Sequence, residues 1–210
     1  MNRVLFITGT DTGAGKTVLA VLLTRRLRSL GMNAAALKPV CSGGRGDARK
    51  IFRANDGILP LDQINPWHFK EAIAPSLAAR REGKKLRLAQ VLAHTRALQK
   101  RFDILLVEGA GGLLSPLGNN FNSRDFILRL DATPIIAAPN RLGVINRLLL
   151  TLEALPSRFQ ARARVVLFPF GRPDASTQSN AALLAEFFDA QRIFSAGVPG
   201  FPRKLIERLL

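Results

Sequence analysis

The chain has 210 residues, of which 47% are hydrophobic and 22% charged, enough to bury the core of one globular domain over 1–210. No apolar run approaches the ~20 residues of a membrane span, and Arg3 is followed by only five residues before Gly9, too few for a signal peptide. The single cysteine excludes an internal disulfide, so a reducing cytoplasm is the expected compartment. The net charge of +16 invites a nucleic-acid partner. The cations are dispersed, however: Arg25, Arg26 and Arg28, the stretch from Arg80 to Arg87, the stretch from Arg158 to Arg164, and a basic tail. No helix-turn-helix or aromatic-interleaved pattern accompanies them. The expectation is a solvated basic surface that steers anionic substrates, rather than a nucleic-acid interface.

Residues 4–17 read Val-Leu-Phe-Ile-Thr-Gly-Thr-Asp-Thr-Gly-Ala-Gly-Lys-Thr. A short apolar run ends in Gly9, a glycine-rich turn follows, and Lys16-Thr17 opens an amphipathic segment. That order spells strand, phosphate loop and helix. Small residues let backbone N–H groups converge on phosphate oxygens, and the helix start adds a favourable partial charge. Gly13, Ala14, Gly15, Lys16, Thr17 and Val18 form the expected nucleotide cradle. Lys16 is placed to reach the β- and γ-phosphates and the Thr17 hydroxyl to ligate Mg²⁺. The strict spacing would put a glycine at position 10, where this chain has Thr10. A plain helix capped by Thr12 explains neither the lysine nor its position.

The following helix is read from about Thr17 to Leu30, with Leu19, Leu22, Leu23, Leu27 and Leu30 as its buried stripe and Gly31 as its stop. A strand over 33–37 is weak on propensity but demanded by the strand–helix order. Helices are expected over 47–54, 75–82, 88–100, 122–130, 143–155 and 175–189. Strands are expected over 103–107, 134–138 and 164–168. Alternation of this kind predicts an α/β fold, a mostly parallel sheet with helices on both faces. Ligands in such sheets bind at the carboxyl ends of the strands. Gly9, Lys38 and Glu108 all fall there.

Lys38-Pro39-Val40-Cys41-Ser42-Gly43 puts a cation and a hydroxyl just past the second strand, where Pro39 bars a helix. Asp103-Ile-Leu-Leu-Val-Glu108, followed by Gly109-Ala110-Gly111-Gly112, is a Walker-B-type strand whose acid comes last. A carboxylate there can hold Mg²⁺ or its water beside the γ-phosphate, or cap the next turn structurally. His68 and His94 have no second ligand at metal spacing and read as ordinary side chains.

The loop wording Gly-Thr-Asp-Thr-Gly-Ala-Gly-Lys-Thr, the Lys-Pro-Val-x-Ser-Gly stretch and Val-Glu-Gly-Ala-Gly-Gly together resemble dethiobiotin synthetase, a P-loop NTPase family of biotin-pathway ligases. Asn65-Pro66-Trp67-His68-Phe69, Ala74-Pro75, Glu82-Gly83, Ser115-Pro116-Leu117 and Gly143-Val144-Ile145-Asn146 extend the match to about residue 150. The resemblance implies ATP and Mg²⁺, and a reaction that joins CO₂ to 7,8-diaminononanoate. It implies catalytic roles for Lys38 and Lys16, with Thr12, Lys38, Ser42 and Gly143 to Asn146 on the substrate side. Gly109, Ala110 and Gly111 join the nucleotide element, and Thr17, Asp47 and Glu108 the metal, although Asp56 lies close to Asp47 in a loop of variable length. Pro199-Gly200-Phe201 matches a further nucleotide-side segment. The family also implies a homodimer with the substrate pocket at its interface. Two departures stand out. Where the family commonly has an Asn-Asp pair to read adenine, this chain has Phe168-Pro169-Phe170, and it has no tyrosine. A partition-type ATPase that binds DNA through its basic surface, or a ligase of the cobyric-acid type, are the competing readings.

Overall fold

The computed structural model describes residues 3–210. In chain order the elements are β1 (Arg3–Gly9), α1 (Lys16–Ser29), β2 (Ala34–Leu37), β3 (Val40–Ser42), α2 (Gly46–Ala54), α3 (Leu61–Ile64), β4 (Trp67–Phe69), α4 (Pro75–Arg81) and α5 (Leu88–Gln99). Then come β5 (Ile104–Glu108), β6 (Pro116–Gly118), β7 (Phe121–Asn122), α6 (Ser123–Leu130), β8 (Thr133–Asn140), α7 (Val144–Glu153), α8 (Ser157–Gln160), β9 (Arg164–Pro169), α9 (Ala175–Leu184), β10 (Ile193–Ser195) and α10 (Arg203–Glu207).

Six strands form one parallel sheet in the order β10-β9-β8-β1-β5-β2. Every residue of β2 and β5 is buried, so helices cover both faces of the sheet, as parallel sheets require. Phe6 of β1 packs edge-on against Phe126 of α6, with ring centroids 5.3 Å apart. The order carries a consequence that sequence order hides. β5 lies between β1 and β2, so the register Ile7 to Glu108 and Leu37 to Val107 brings Glu108 between the phosphate loop and Lys38.

The alanine-rich β2 holds its place through its neighbours rather than its propensity. Its outer edge would leave backbone groups unpaired. The Asn55 carboxamide fills that gap, accepting from Ala36 N and donating to Ala36 O, each at 2.9 Å.

Helix α1 corrects the expected stripe. Leu19, Leu23 and Leu27 are buried, but Leu22 is 36% exposed and Leu30 49%. Leu22 lies off the face shared by Lys16, Ala20 and Thr24, and Leu30 already stands beyond the last helical turn. The helix closes at Gly31 as read: Met32 N donates to Leu27 O and Gly31 N to Arg28 O, the two bonds of a Schellman end. The helix expected over 175–189 stops at Leu184, followed by a turn. The short pairs β3–β4 and β6–β7, and β10, α3 and α10, have no counterpart in the sequence reading. The basic tail is not loose, since Leu205 and Ile206 of α10 are buried.

Candidate functional site

The phosphate loop reaches α1 through Gly15, whose φ of +93° is closed to most side chains. A methyl group placed there would also meet the ring of Phe168, 2.7 Å away. Phe168, near the end of β9, thus packs against the loop. Thr12 does not cap the helix, because Gly15 occupies the N-cap. Lys16 is 7% exposed and donates to the Asp11 carbonyl at 2.7 Å, across its own loop.

Lys38 leaves the end of β2 with its backbone held on both sides. Its N–H donates to Ile64 O, and its carbonyl accepts from Asn65 Nδ2 at 2.7 Å. Its side chain is buried, and Nζ donates to Glu108 Oε1. The Thr17 hydroxyl donates to that same Oε1 at 2.8 Å. The other oxygen, Glu108 Oε2, is buried and has no hydrogen-bond partner in the protein. Asp47, in the first turn of α2, stands with Oδ2 3.6 Å from Lys38 Nζ and Oδ1 3.4 Å from Lys50 Nζ.

These charges shape one another. Burial first, and the neighbouring Lys38 second, bring the Lys16 ammonium down to about 8. Burial also works against a charge on Lys38, but the Glu108 carboxylate outweighs it and holds the ammonium above its ordinary range. Partial burial opposes the Asp47 charge as well, yet Lys38 and Lys50 keep that carboxyl below its ordinary value. Glu108 thus favours the charged form of Lys38, while burial makes the Lys16 proton easier to lose.

A cavity of about 730 Å³ opens over this cluster. It is lined by Thr12 through Val18, Lys38, Ser42, Asp47 and Glu108, by Ala110 and Gly111, and by Ile73, Pro75, Ser115 and Pro116. Ser42 Oγ donates its proton to Ile73 O at 2.5 Å, which leaves its lone pairs for a ligand's N–H. Cys41 lines the same wall with its thiol pushed up by burial, against Gly44 O and Asn65 Oδ1.

Most of the site residues read from the sequence meet here. Gly109 does not line the cavity. Its Cα faces the core, where an added methyl would lie 2.8 Å from Ser123 Oγ. Gly143, Val144, Ile145 and Asn146, at the start of α7, also stand outside it, as do Pro199, Gly200 and Phe201. Asp56 sits at the exposed far end of α2, away from the cavity that Asp47 lines. Lys50 and Ile73 were missed. The signal for Lys50 was its place one turn after Asp47. Ile73 lies in irregular chain and gave none. His94 Nε2 lies 2.7 Å from Gln63 O and its ring meets Trp67 edge-on, a structural role as expected.

The chemistry of these groups fits a nucleoside triphosphate with a hard cation. Glu108 Oε2 is a buried carboxylate oxygen still lacking a partner, beside a threonine hydroxyl and a second carboxylate. Among the described residues no group of three or more acidic, histidine or cysteine side chains forms a cage. The protein oxygens would therefore share Mg²⁺ with phosphate and water, the usual condition for that ion.

A parallel sheet with a strand–phosphate-loop–helix start, an acid at the end of the neighbouring strand and two converging lysines defines a P-loop nucleotide-using protein. The family model described as "AAA domain" matches residues 3–197. Two solved structures share this fold. The hydrogenase maturation factor HypB from Archaeoglobus fulgidus has a TM-score of 0.54 at 16% identity, covering 99% of this chain and 89% of that one. A ParA family ATPase from Chlorobium tepidum has 0.55 at 15%, covering 100% and 89%. Sequence relatives narrow the class. An ATP-dependent dethiobiotin synthetase of Anaeromyxobacter dehalogenans is 42% identical over 188 residues, 87% of this chain and 84% of that protein. Proteins of the same name from Akkermansia muciniphila and Methanocaldococcus jannaschii are 35% and 38% identical, covering 90% and 73% of this chain and 89% and 74% of theirs. The chain belongs to the dethiobiotin synthetase family.

Proposed function

We propose that the protein, as an ATP-dependent ligase of this family, carboxylates 7,8-diaminononanoate and closes the ring to dethiobiotin. The observation that carries the reading is the shared oxygen of Glu108. One carboxylate oxygen gathers Lys38 and Thr17 at the mouth of a phosphate loop, while its other oxygen waits for a partner.

In the reaction an amine of the substrate takes up CO₂ as a carbamate. A carbamate oxygen then attacks the γ-phosphorus, the bond to the β,γ-bridging oxygen breaks, and ADP leaves. The second amine attacks the carbamate carbon, the carbon–oxygen bond to phosphate breaks, and inorganic phosphate departs with the ring closed. Negative charge grows at the γ-phosphoryl oxygens in each transfer, and preorganised cations stabilise it best. Lys38 supplies such a cation without reorganising, because Glu108, Asn65 and Ile64 already fix both its ends. Lys16 exchanges the Asp11 carbonyl for phosphate oxygens. Ser42 and Thr12 orient the substrate at the cavity wall. Thr17, Asp47 and Glu108 would hold Mg²⁺, which when bound offsets charge on the β- and γ-phosphates.

We read residues 1–210 as one domain, acting in the cytoplasm. None of the helices among the described residues is long and apolar enough to cross a membrane. A homodimer completes the reading. Residues 143–146, which the resemblance puts on the substrate side, lie outside the cavity of their own chain, which supports a site shared with a second subunit. The reading is tested by ADP release from ATP. It should require both diaminononanoate and bicarbonate, and ADP release indifferent to the diamine would sink it.

A further inference from the structure

We propose that Arg45 is a positioning residue of the site: acting through Asn65, it fixes the start of α2 and so holds Asp47 at its distance from Lys38. The inference rests on the reading above that Asp47 shares Mg²⁺ with Thr17 and Glu108.

The loop before α2 needs an anchor. Between Ser42, which ends β3, and Asp47, in the first turn of α2, the chain reads Gly43-Gly44-Arg45-Gly46. Gly43 and Gly44 have φ of +75° and +101°, values that glycine adopts without steric cost. A methyl group placed on Gly44 or Gly46 would meet nothing within 4 Å, so the space beside both is open. Glycine also gives up more conformational freedom on ordering than any other residue. Three glycines therefore cannot fix by themselves the carboxylate that follows them. Arg45 is the one residue of the four with a side chain.

That side chain is largely buried and fully engaged. Arg45 Nε donates to Asn65 Oδ1 at 3.2 Å, and Nη2 donates to the carbonyls of Leu61 and Asn65 at 3.0 and 3.1 Å. The exposed Asp62 carboxylate lies 2.8 Å from the same nitrogen. The planar fork of a guanidinium can serve these acceptors together, which the point charge of a lysine cannot. The Arg45 backbone is the N-cap of α2, and its carbonyl accepts from Arg49 N at 2.9 Å. On its other side the Asn65 carboxamide donates to Lys38 O at 2.7 Å, and Ile64 O accepts from Lys38 N at 3.0 Å. Residues 61–65 thus grip Lys38 by its backbone and α2 by Arg45. With both ends tied to one segment, Asp47 Oδ2 comes to 3.6 Å from Lys38 Nζ.

The test measures by calorimetry the affinity for a non-hydrolysable ATP analogue, once with Mg²⁺ and once in EDTA. The full-length wild type is compared with Arg45→Met, Asp47→Asn and the double variant. Methionine keeps an unbranched stem, and thermal unfolding checks that the fold is retained. Arg45→Met should cut the affinity gained from Mg²⁺ by about tenfold, as losing a group that orients a metal ligand does. The metal-free affinity should stay the same, because the phosphate loop is no part of this network. Added to Asp47→Asn, the substitution should cost nothing more, since two changes on one route do not add. Arg45→Lys should recover part of the loss, and Asp62→Asn should behave as wild type. A full Mg²⁺ gain in Arg45→Met overturns the inference. Equal weakening with and without the metal also overturns it, as does full additivity with Asp47→Asn. Absence of any Mg²⁺ gain in the wild type overturns the metal reading itself, and with it this inference.

Discussion

The two sides of the phosphate loop are built from different chemistry. Towards β5 and β2 the loop faces buried polar groups: Lys38, Glu108 and Thr17 meet at one oxygen, with Asp47 at the rim. Towards β8 and β9 it faces rings. Phe168 packs against Gly15, and Phe170 is half exposed with the Arg141 guanidinium stacked over it at 4.6 Å. The first side can stabilise charge that develops during phosphoryl transfer. The second offers surfaces for stacking but no carboxamide or carboxylate at positions 168–170 to read a base. Charge stabilisation and base contact would thus fall to different regions, and Phe168, Pro169 and Phe170 bring no side-chain hydrogen-bonding group to the second.

The largest expected effect of breaking the polar side comes from Lys38→Ala. The ligation rate should fall by about a hundredfold to a thousandfold, as for the loss of one preorganised charge donor. The substitution also strands the buried Glu108 carboxylate, a change that costs about 3–5 kcal/mol where a buried pair is broken. Denaturant unfolding therefore has to accompany the kinetics. An unchanged rate removes Lys38 from the mechanism.

Next in size is the metal side. Glu108→Gln and Asp47→Asn should each raise the Mg²⁺ concentration for half-maximal activity by roughly tenfold or more, whereas Asp56→Asn should leave it alone. The reverse order for the two aspartates would mean that the wrong end of α2 has been assigned.

The aromatic side predicts a small number where most nucleotide sites give a large one. Stacking tolerates any base, so CTP and GTP should support ligation within about tenfold of ATP in kcat/KM, equivalent to ~1.4 kcal/mol. A preference for ATP above roughly a thousandfold exceeds what one bidentate contact supplies. It would show that another segment reads the base, Pro199 to Phe201 being the first to substitute.

A gradual effect belongs to Lys16. Burial, and after it Lys38, bring its ammonium down to about 8. Bound phosphate favours the charged form, so binding above that pH must take up a proton. ATP affinity should hold below pH 8 and decline as pH rises through it, which calorimetry in two buffers of different ionisation heat would register. Lys38, held charged by Glu108, contributes no such slope in that range.

What the sequence disclosed follows the same division. The phosphate loop and Glu108 were legible because a glycine-rich turn and an acid at the ends of apolar runs are conspicuous, and parallel sheets send strand ends to one site. The roles of Lys38 and Ser42 came instead through the family resemblance of Lys-Pro-Val-x-Ser-Gly. The order that sets β5 between β1 and β2 was not legible, since nothing local in a strand names its neighbours. Two- and three-residue strands such as β6 and β7 carry no periodicity to detect. The packing of Phe168 on Gly15 joins residues far apart in the chain, so only the fold reveals it. Leu22 and Leu30 misled because leucine spacing was read without regard to which face, or which end, of the helix they occupy.

If the polar side of the loop drives carboxylation and ring closure, label from CO₂ must follow ADP. Labelled bicarbonate supplied with ATP and diaminononanoate tests it most directly. The wild type should place one labelled carbon in a cyclic urea for each ADP formed, and Lys38→Ala should depress label and ADP together. ADP formation without label in the diamine product, or label incorporation that Lys38→Ala leaves untouched, would contradict the account.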